Sequence, residues 1–287
     1  MNKIDLHSHT IYSDGTYEPN YLLKKANEME LKYFSITDHE SVDAYFDLDK
    51  NLYDGNLVTG VELRTVCVGV IIEILGYNID IKKMKKFIAK CNYLTQSEFE
   101  QYLLKKAYET YKEKGIYLPN DFVINYDEKK HKRPSEYIKN SILKFEQNKK
   151  YFYLLNGNSF YRTITDPNSE IFVDVTDVFP PIDTVLEGIK QSGGISSLAH
   201  IFVYEKHSLD ILNIILANHK IDAIECFYSQ FTKEQSDYLV DICLKGKKLI
   251  TGGSDFHGEN RKEILIGRGK NNNLNIPEKL LIWLDNI

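Results

Sequence analysis

The chain has 287 residues, 43% hydrophobic and 27% charged, which is enough for one large α/β domain or a medium domain carrying an insertion. A net charge of −5 argues against a surface built for bulk nucleic-acid binding, and no apolar run approaches the roughly 18 residues of a membrane span. Cys67, Cys91, Cys226 and Cys243 have no paired spacing and the N-terminus no secretory pattern, so a cytoplasmic protein with reduced thiols is expected.

The first stretch predicts strands alternating with helices. "KIDLH" is a strand, "EPNYLLKKANEMELK" a helix with Pro19 near its first turn, and "YFSITDH" a strand followed by a short helix from Ser41. "NLVTGVEL" and the β-branched run "CVGVIIEILGYNI" continue the pattern, which implies a parallel sheet of buried strands. From Ile81 the apolar residues fall at helical spacing, in a stretch expected to end at Gly115. Shorter helical pieces follow, with an irregular run from about 166 to 180. The βα rhythm then resumes with "PIDTVLEGIKQSGG", "ISSLAH", "DAIECFY" and "KLITGGSDFHG". The expected organisation is a βα scaffold at 1–80 and 181–287, interrupted by a mainly helical insertion at 81–180.

Charge follows the same division. Residues 82–150 carry 17 Lys/Arg against 9 Asp/Glu, leaving 19 against 32 for the rest. The basic segment reads either as a solvated helical face or as a wall that draws an anionic substrate toward an acidic site.

Candidate metal ligands recur at the C-terminal ends of predicted strands, where parallel barrels place their active sites. His7 and His9 follow "KIDL", with Asp14 close behind. His39 follows "YFSITD", Glu62 follows "NLVTGV", His200 ends "ISSLA", and Asp255 and His257 follow "KLITGGS". Each has an ordinary structural use: His39 as a helix cap, Glu62 as a loop carboxylate, His200 as a satisfied core histidine, Asp255 as a turn residue. Five of the eight histidines at one end of one sheet point instead to a shared metal site. The other three, His131, His207 and His219, are expected at the surface. The donors are nitrogen and oxygen without thiolate, which suits Zn²⁺, Mn²⁺ or Fe²⁺, and they are too many for one tetrahedral ion.

"DLHSHTIYSDG", "ITDHES", "GVEL", "GGISSLAH" and "GGSDFHG", in that order, resemble the PHP (polymerase and histidinol phosphatase) domain family of metal-dependent phosphoesterases. The helical stretch after "EILGYNID" resembles the branch with nucleoside 3',5'-bisphosphate phosphatases and 5'-3' exoribonucleases. The resemblance implies a distorted, seven-stranded β/α barrel, a cap made by the insertion, and two to three divalent ions (Mn, Zn or Fe). It implies that His7, His9, Glu62 and Asp255 hold one metal, that Glu62 bridges to a second held also by His200, and that Asp14, His39 and His257 hold a third. A hydroxide between metals would then attack phosphorus, with His7, His9, Glu62, Asp255 and His257 as the catalytic set.

Two positions depart from that branch. Glu73 in "IIEILGY" stands where a histidine ligand is common, which favours a harder ion such as Mn²⁺. In "HKRPSEYI", Arg133 remains where related sequences carry Arg-x-His, while Ser135 replaces the histidine; Arg133 and Ser135 are the candidate substrate contacts. The expected activity is hydrolysis of a phosphomonoester of a small phosphorylated metabolite, foremost a nucleotide. The alternatives are 5'-3' exonuclease action on short oligonucleotides, histidinol-phosphate hydrolysis, and a non-catalytic metal-binding scaffold. An amidohydrolase-type barrel also begins with His-x-His, but Asp14, Glu62 and the Asp255-x-His257 pair disfavour it.

Overall fold

The computed structural model describes residues 3–123, 126, 133–156 and 159–286. They divide into two compact units, one of Met1–Cys67, Ile72–Tyr93 and Pro180–Ile287, the other of Val68–Ile71 and Leu94–Phe179.

Seven strands of the first unit form one sheet in sequence order: β1 (Ile4–Asp5), β2 (Tyr33–Ile36), β3 (Asn56–Cys67), β4 (Val70–Tyr77, whose first two residues are counted with the second unit), β5 (Ile195–Leu198), β6 (Ala223–Tyr228) and β7 (Leu249–Gly253). The pairs β1/β2, β2/β3, β5/β6 and β6/β7 are parallel, whereas β4 runs against β5. The first and last strands meet: Leu6 N–H donates to Gly252 O at 3.1 Å, and Ser8 bridges Phe256 in parallel. The sheet is thus nearly closed into the expected α/β barrel. Strands buried on both faces read as unbroken apolar runs, and every residue of β2 and β4 is buried.

Helices pack outside these strands. α1 (Pro19–Glu28) starts on Pro19, buries Leu22, Leu23 and Ala26 along one stripe and keeps Lys24 out. The reversed β4 leads into α2 (Ile81–Cys91), capped by Asp80, whose carboxylate accepts from Lys83 N–H at 2.9 Å. α2 is counted with the first unit, which includes Ile72–Tyr93. α2 stays with the barrel because Gly188, on α6 (Ile182–Gln191), leaves room for the Phe87 ring; a Cβ there would lie 2.6 Å from Phe87 Cδ2. The helical stretch expected to run to Gly115 is also broken. Asn92 turns left-handed at φ 52°, and Thr95 with Glu98 forms a reciprocal capping box that starts α3 (Gln96–Glu113). A 3₁₀ turn, Asp43–Phe46, occupies the place of the short helix expected from Ser41.

The second unit contains α3, α4 (Pro134–Leu143) and α5 (Phe160–Thr165). Its buried residues include Phe99, Leu103, Leu104, Phe122, Ile138, Ile142 and Ile164, and Tyr111 OH donates to Ile171 O at 3.0 Å. α7 (Ser208–Asn218) and α8 (Lys233–Gly246) complete the barrel unit. Among the described residues, no helix is long and apolar enough to cross a membrane. The four cysteines are free, with Cys226 Sγ 3.6 Å from Cys243 Sγ between β6 and α8.

Candidate metal centre

The strand order explains why the candidate residues meet. Residues following β1, β2, β5 and β7 leave the sheet at one end, and Glu62 lies within β3 where His39 bridges it in parallel. Because β4 runs backwards, Glu73 near its start reaches that same end; Ala199 N–H donates to Glu73 O at 3.2 Å.

Donor atoms of His7, His9 and Glu62 gather within reach of one ion, and Asp255 lies against both histidines. His7 Nε2 lies 3.2 Å from His9 Nε2, 3.3 Å from Glu62 Oε2 and 3.4 Å from Asp255 Oδ1. His9 Nε2 lies 3.3 Å from Glu62 Oε2 and 3.2 Å from Asp255 Oδ1. A tetrahedron of ligand atoms at about 2.0–2.1 Å from a divalent ion has edges of about 3.3–3.4 Å. The triangle of His7, His9 and Glu62 and the triangle of His7, His9 and Asp255 therefore each have the spacing of one face of such a tetrahedron. Beside it, His200 Nε2 lies 3.0 Å from Glu62 Oε1 and 3.7 Å from Glu73 Oε2, so the two oxygens of Glu62 face two adjoining nests. A third nest gathers His9, Asp14, His39 and His257, with His257 Nε2 3.0 Å and His39 Nε2 3.8 Å from Asp14 Oδ1.

The donor set fits cations. Asp14 Oδ1, His39 Nδ1 and His257 Nε2 are buried and make no hydrogen bond. His257 Nδ1 lies 2.9 Å from Asp255 O; a carbonyl only accepts, so the proton sits on Nδ1 and Nε2 keeps a free lone pair. The electrostatics agree. Burial works against charge on Glu62, but His7 and His39 outweigh it and hold its carboxyl well below the usual range. Burial likewise opposes charge on Asp14 and Asp255, and His257 for the first and Arg261 for the second prevail and lower both. On His9, burial disfavours the cation, yet hydrogen bonds donated to Asp255 and Glu62 push it up to about 10. This is a concentration of negative charge and lone pairs that protons alone satisfy poorly.

Strain accompanies the convergence. Asp255 (φ 59°) and His200 (φ 22°) hold left-handed backbone, a conformation costing non-glycine residues of order 1–3 kcal/mol. Their N–H groups are anchored in compensation, Asp255 to His7 O at 2.8 Å and His200 to Glu225 Oε2 at 2.8 Å.

Several residues that hold the donors in place carry no sequence signal of the kind used above. Asp38 accepts from Thr10 N–H, Thr10 Oγ1 and Ser13 Oγ at 2.6–2.7 Å and so ties down the loop between His9 and Asp14. Asp5 accepts from Ser254 and Gly267 N–H, each at 2.7 Å, and joins β1 to the segment after β7. Tyr228 OH donates to Asp255 Oδ2 at 2.8 Å, and Arg261 pairs with the same oxygen. Glu225 accepts from His7 Nδ1 at 2.9 Å. The β6/β7 register shifts between Glu225 and Phe227, and a bulge of that kind lets Glu225 and Tyr228, three residues apart, serve the same site. The available clue was a glutamate inside the apolar strand "DAIECFY".

Arg133, exposed at the start of α4, and Ser135, buried in its first turn, belong to the second unit. His207 and His219 are half-buried, and His219 Nδ1 pairs with Asp183 Oδ1 at 2.7 Å. His131 lies outside the described residues.

The profile of the PHP domain matches residues 5–259. The chain belongs to the PHP domain family. This PHP-domain chain is 39% identical over 92 residues to the 5'-3' exoribonuclease Rnm of Salmonella typhimurium, a match spanning 30% of this chain and 31% of the relative. It is 27% identical over 268 residues to a 5'-3' exoribonuclease of Haemophilus influenzae, spanning 89% and 90% of the two. Among solved structures it resembles a metal-dependent phosphoesterase of Bifidobacterium adolescentis (TM-score 0.61, 20% identity, 97% and 95% of the two chains). It also resembles an amidohydrolase of Chromobacterium violaceum with bound sulfate (TM-score 0.63, 16% identity, 99% and 95%). At these identities the structural likeness speaks to the fold.

Proposed function

We propose that this chain hydrolyses a phosphate ester of a nucleotide at the three adjoining nests, with His7, His9, Asp14, His39, Glu62, Glu73, His200, Asp255 and His257 as ligands of two to three divalent ions (Mn, Zn or Fe). The observation that carries the reading is the nest of His7, His9 and Glu62, with Asp255 against both histidines, at spacings that suit ligands of a divalent ion, continued through Glu62 into a second nest. Bound there, divalent ions would supply an acidified water and neutralise charge on the phosphoryl oxygens. The chain's own part is orientation. Glu225 holds the His7 proton on Nδ1, Tyr228 and Arg261 fix one oxygen of Asp255, and Asp38 holds the loop that presents Asp14. Arg133 is proposed to bind a substrate phosphate and Ser135 to support it, a reading that stands on the sequence resemblance.

A second reading, 5'-3' exonucleolytic trimming of short oligonucleotides, is favoured by the Haemophilus influenzae relative, which aligns over nearly its whole length. Both readings cleave a P–O bond and differ in the leaving group. Metal-loaded protein is to be assayed with a 3',5'-nucleoside bisphosphate, a nucleoside monophosphate, histidinol phosphate and a 5'-phosphorylated oligonucleotide, with Asp255→Ala as control. Inorganic phosphate from a mononucleotide supports the first reading, and mononucleotides released stepwise from the oligonucleotide support the second. Bound metal with no turnover of any of the four substrates would refute both.

A further inference from the structure

We propose that Glu225 is a positioning residue that couples the two nests sharing Glu62, setting their occupancy together while leaving the Asp14 nest alone; this rests on the metal reading above. Glu225 is completely buried in β6. A carboxylate in that setting is kept only where its oxygens are spoken for. Here each oxygen takes one donor: Oε1 lies 2.9 Å from His7 Nδ1, and Oε2 is 2.8 Å from His200 N–H.

The two contacts act on different nests. With its proton held on Nδ1 by Oε1, His7 presents the Nε2 lone pair to His9, Glu62 and Asp255. The contact to Oε2 anchors His200 at a backbone conformation (φ 22°) that a free residue seldom adopts, and so aims His200 Nε2 at Glu62 Oε1, 3.0 Å away. One carboxylate therefore sets a ring orientation in one nest and a backbone strain in the next. The donors of the third nest, His9, Asp14, His39 and His257, make no contact with Glu225 among these interactions, and they meet the first nest through His9 and through His39 Nδ1, 3.3 Å from Glu62 Oε2.

Glutamine at 225 keeps the shape but presents one acceptor and one donor. Both neighbours, the His7 Nδ1–H and the His200 N–H, are donors, so whichever way the amide turns one contact is lost. The experiment is metal retention by the full chain against increasing chelator, read by elemental analysis, for wild type, Glu225→Gln and Glu225→Ala, with circular dichroism as the check on folding. The expected result is release of the ions of the two Glu62-sharing nests at about 10–100-fold lower chelator concentration. The ion of the third nest is retained and leaves only when Asp14→Asn is added. Should the alanine variant fail to fold, the near-isosteric glutamine variant carries the same test. Retention curves matching wild type, or an equal loss from all three nests, would overturn the role proposed for Glu225. Wild type that retains no metal would instead overturn the underlying metal reading.

Discussion

Gly253→Ala tests whether the centre depends on the close approach of β7 to β1. A Cβ at Gly253 would intrude on His7 N and His7 Cβ and lie 2.8 Å from His7 Cα. Restoring ordinary van der Waals separation of about 3.4–4 Å demands a shift of about 1 Å between the strands. The strands cannot separate freely, since Leu6 N–H donates to Gly252 O at 3.1 Å and Asp255 N–H to His7 O at 2.8 Å. The shift must therefore displace His7 from donors that lie 3.2–3.4 Å from its Nε2. Overpacking of this kind costs about 1–3 kcal/mol. A misplacement of about 1 Å at a reacting centre costs about 100-fold in rate. Urea unfolding and phosphate release measured on the same preparation read both effects. Gly115→Ala is the comparison: its φ of 67° makes alanine unfavourable, but nothing lies within 4 Å of the added Cβ. That variant should lose stability and keep wild-type turnover per folded molecule. A Gly253→Ala protein with wild-type turnover and metal content would refute the argument that strand contact at Gly253 sets the centre.

Stability of the metal-free protein should depend on pH in two directions. His9, raised from 6.5 to about 10, contributes stability that is complete below about pH 6.5 and lost as pH rises toward 10. Asp14, Glu62 and Asp255, lowered from 3.8, 4.5 and 3.8, contribute stability lost as pH falls below about 4.5. The urea midpoint of metal-free protein should therefore peak between about pH 4.5 and 6.5; a flat profile up to pH 9 would contradict this. Metal binding at pH 7 should release protons, His9 being charged beforehand, and calorimetry in buffers of different ionisation enthalpy counts them. Glu73→His should shift the metal preference of turnover away from Mn²⁺ toward Zn²⁺ or Fe²⁺ by about tenfold, with an unchanged ratio counting against Glu73 as a ligand. Arg133→Ala should raise KM for a phosphorylated substrate about 10–100-fold with kcat little changed, the scale of a lost charge-assisted hydrogen bond. An unchanged KM would remove Arg133 from the site.

The legible part of the fold and centre was the part written in local pattern. A βα rhythm fixes which ends of the strands gather, and histidines and carboxylates at those ends announce themselves because such residues are seldom buried. His7, His9, Glu62, His200, Asp255 and His257 meet for that reason, and Glu73 joins them because β4 is reversed. The break between α2 and α3 was less legible. Lysines and apolar residues at helical spacing continue past Cys91, while the stop is a left-handed Asn92 and the restart a Thr95–Glu98 cap. The assignment of α2 to the barrel turned on Gly188, whose importance lies in what it leaves out, room for Phe87.

Glu225, Tyr228 and Arg261 were illegible for a further reason. Their work is done on other residues, so no spacing to a metal exists to be read. Glu225 and Tyr228 also share a site only through a register shift in β6, whereas a regular strand alternates faces and sends residues three apart to opposite sides. Arg261 lies six residues beyond Asp255 in a 3₁₀ turn, with Gly258 in a left-handed conformation (φ 66°) between them. A side chain at Gly258 would collide with Thr16 and Tyr17, which belong to the loop after Asp14. The turn that brings Arg261 back onto Asp255 is therefore closed against the loop that presents Asp14. Supporting residues of this kind become predictable only after the backbone path is known, because their chemistry is set by the donors they orient.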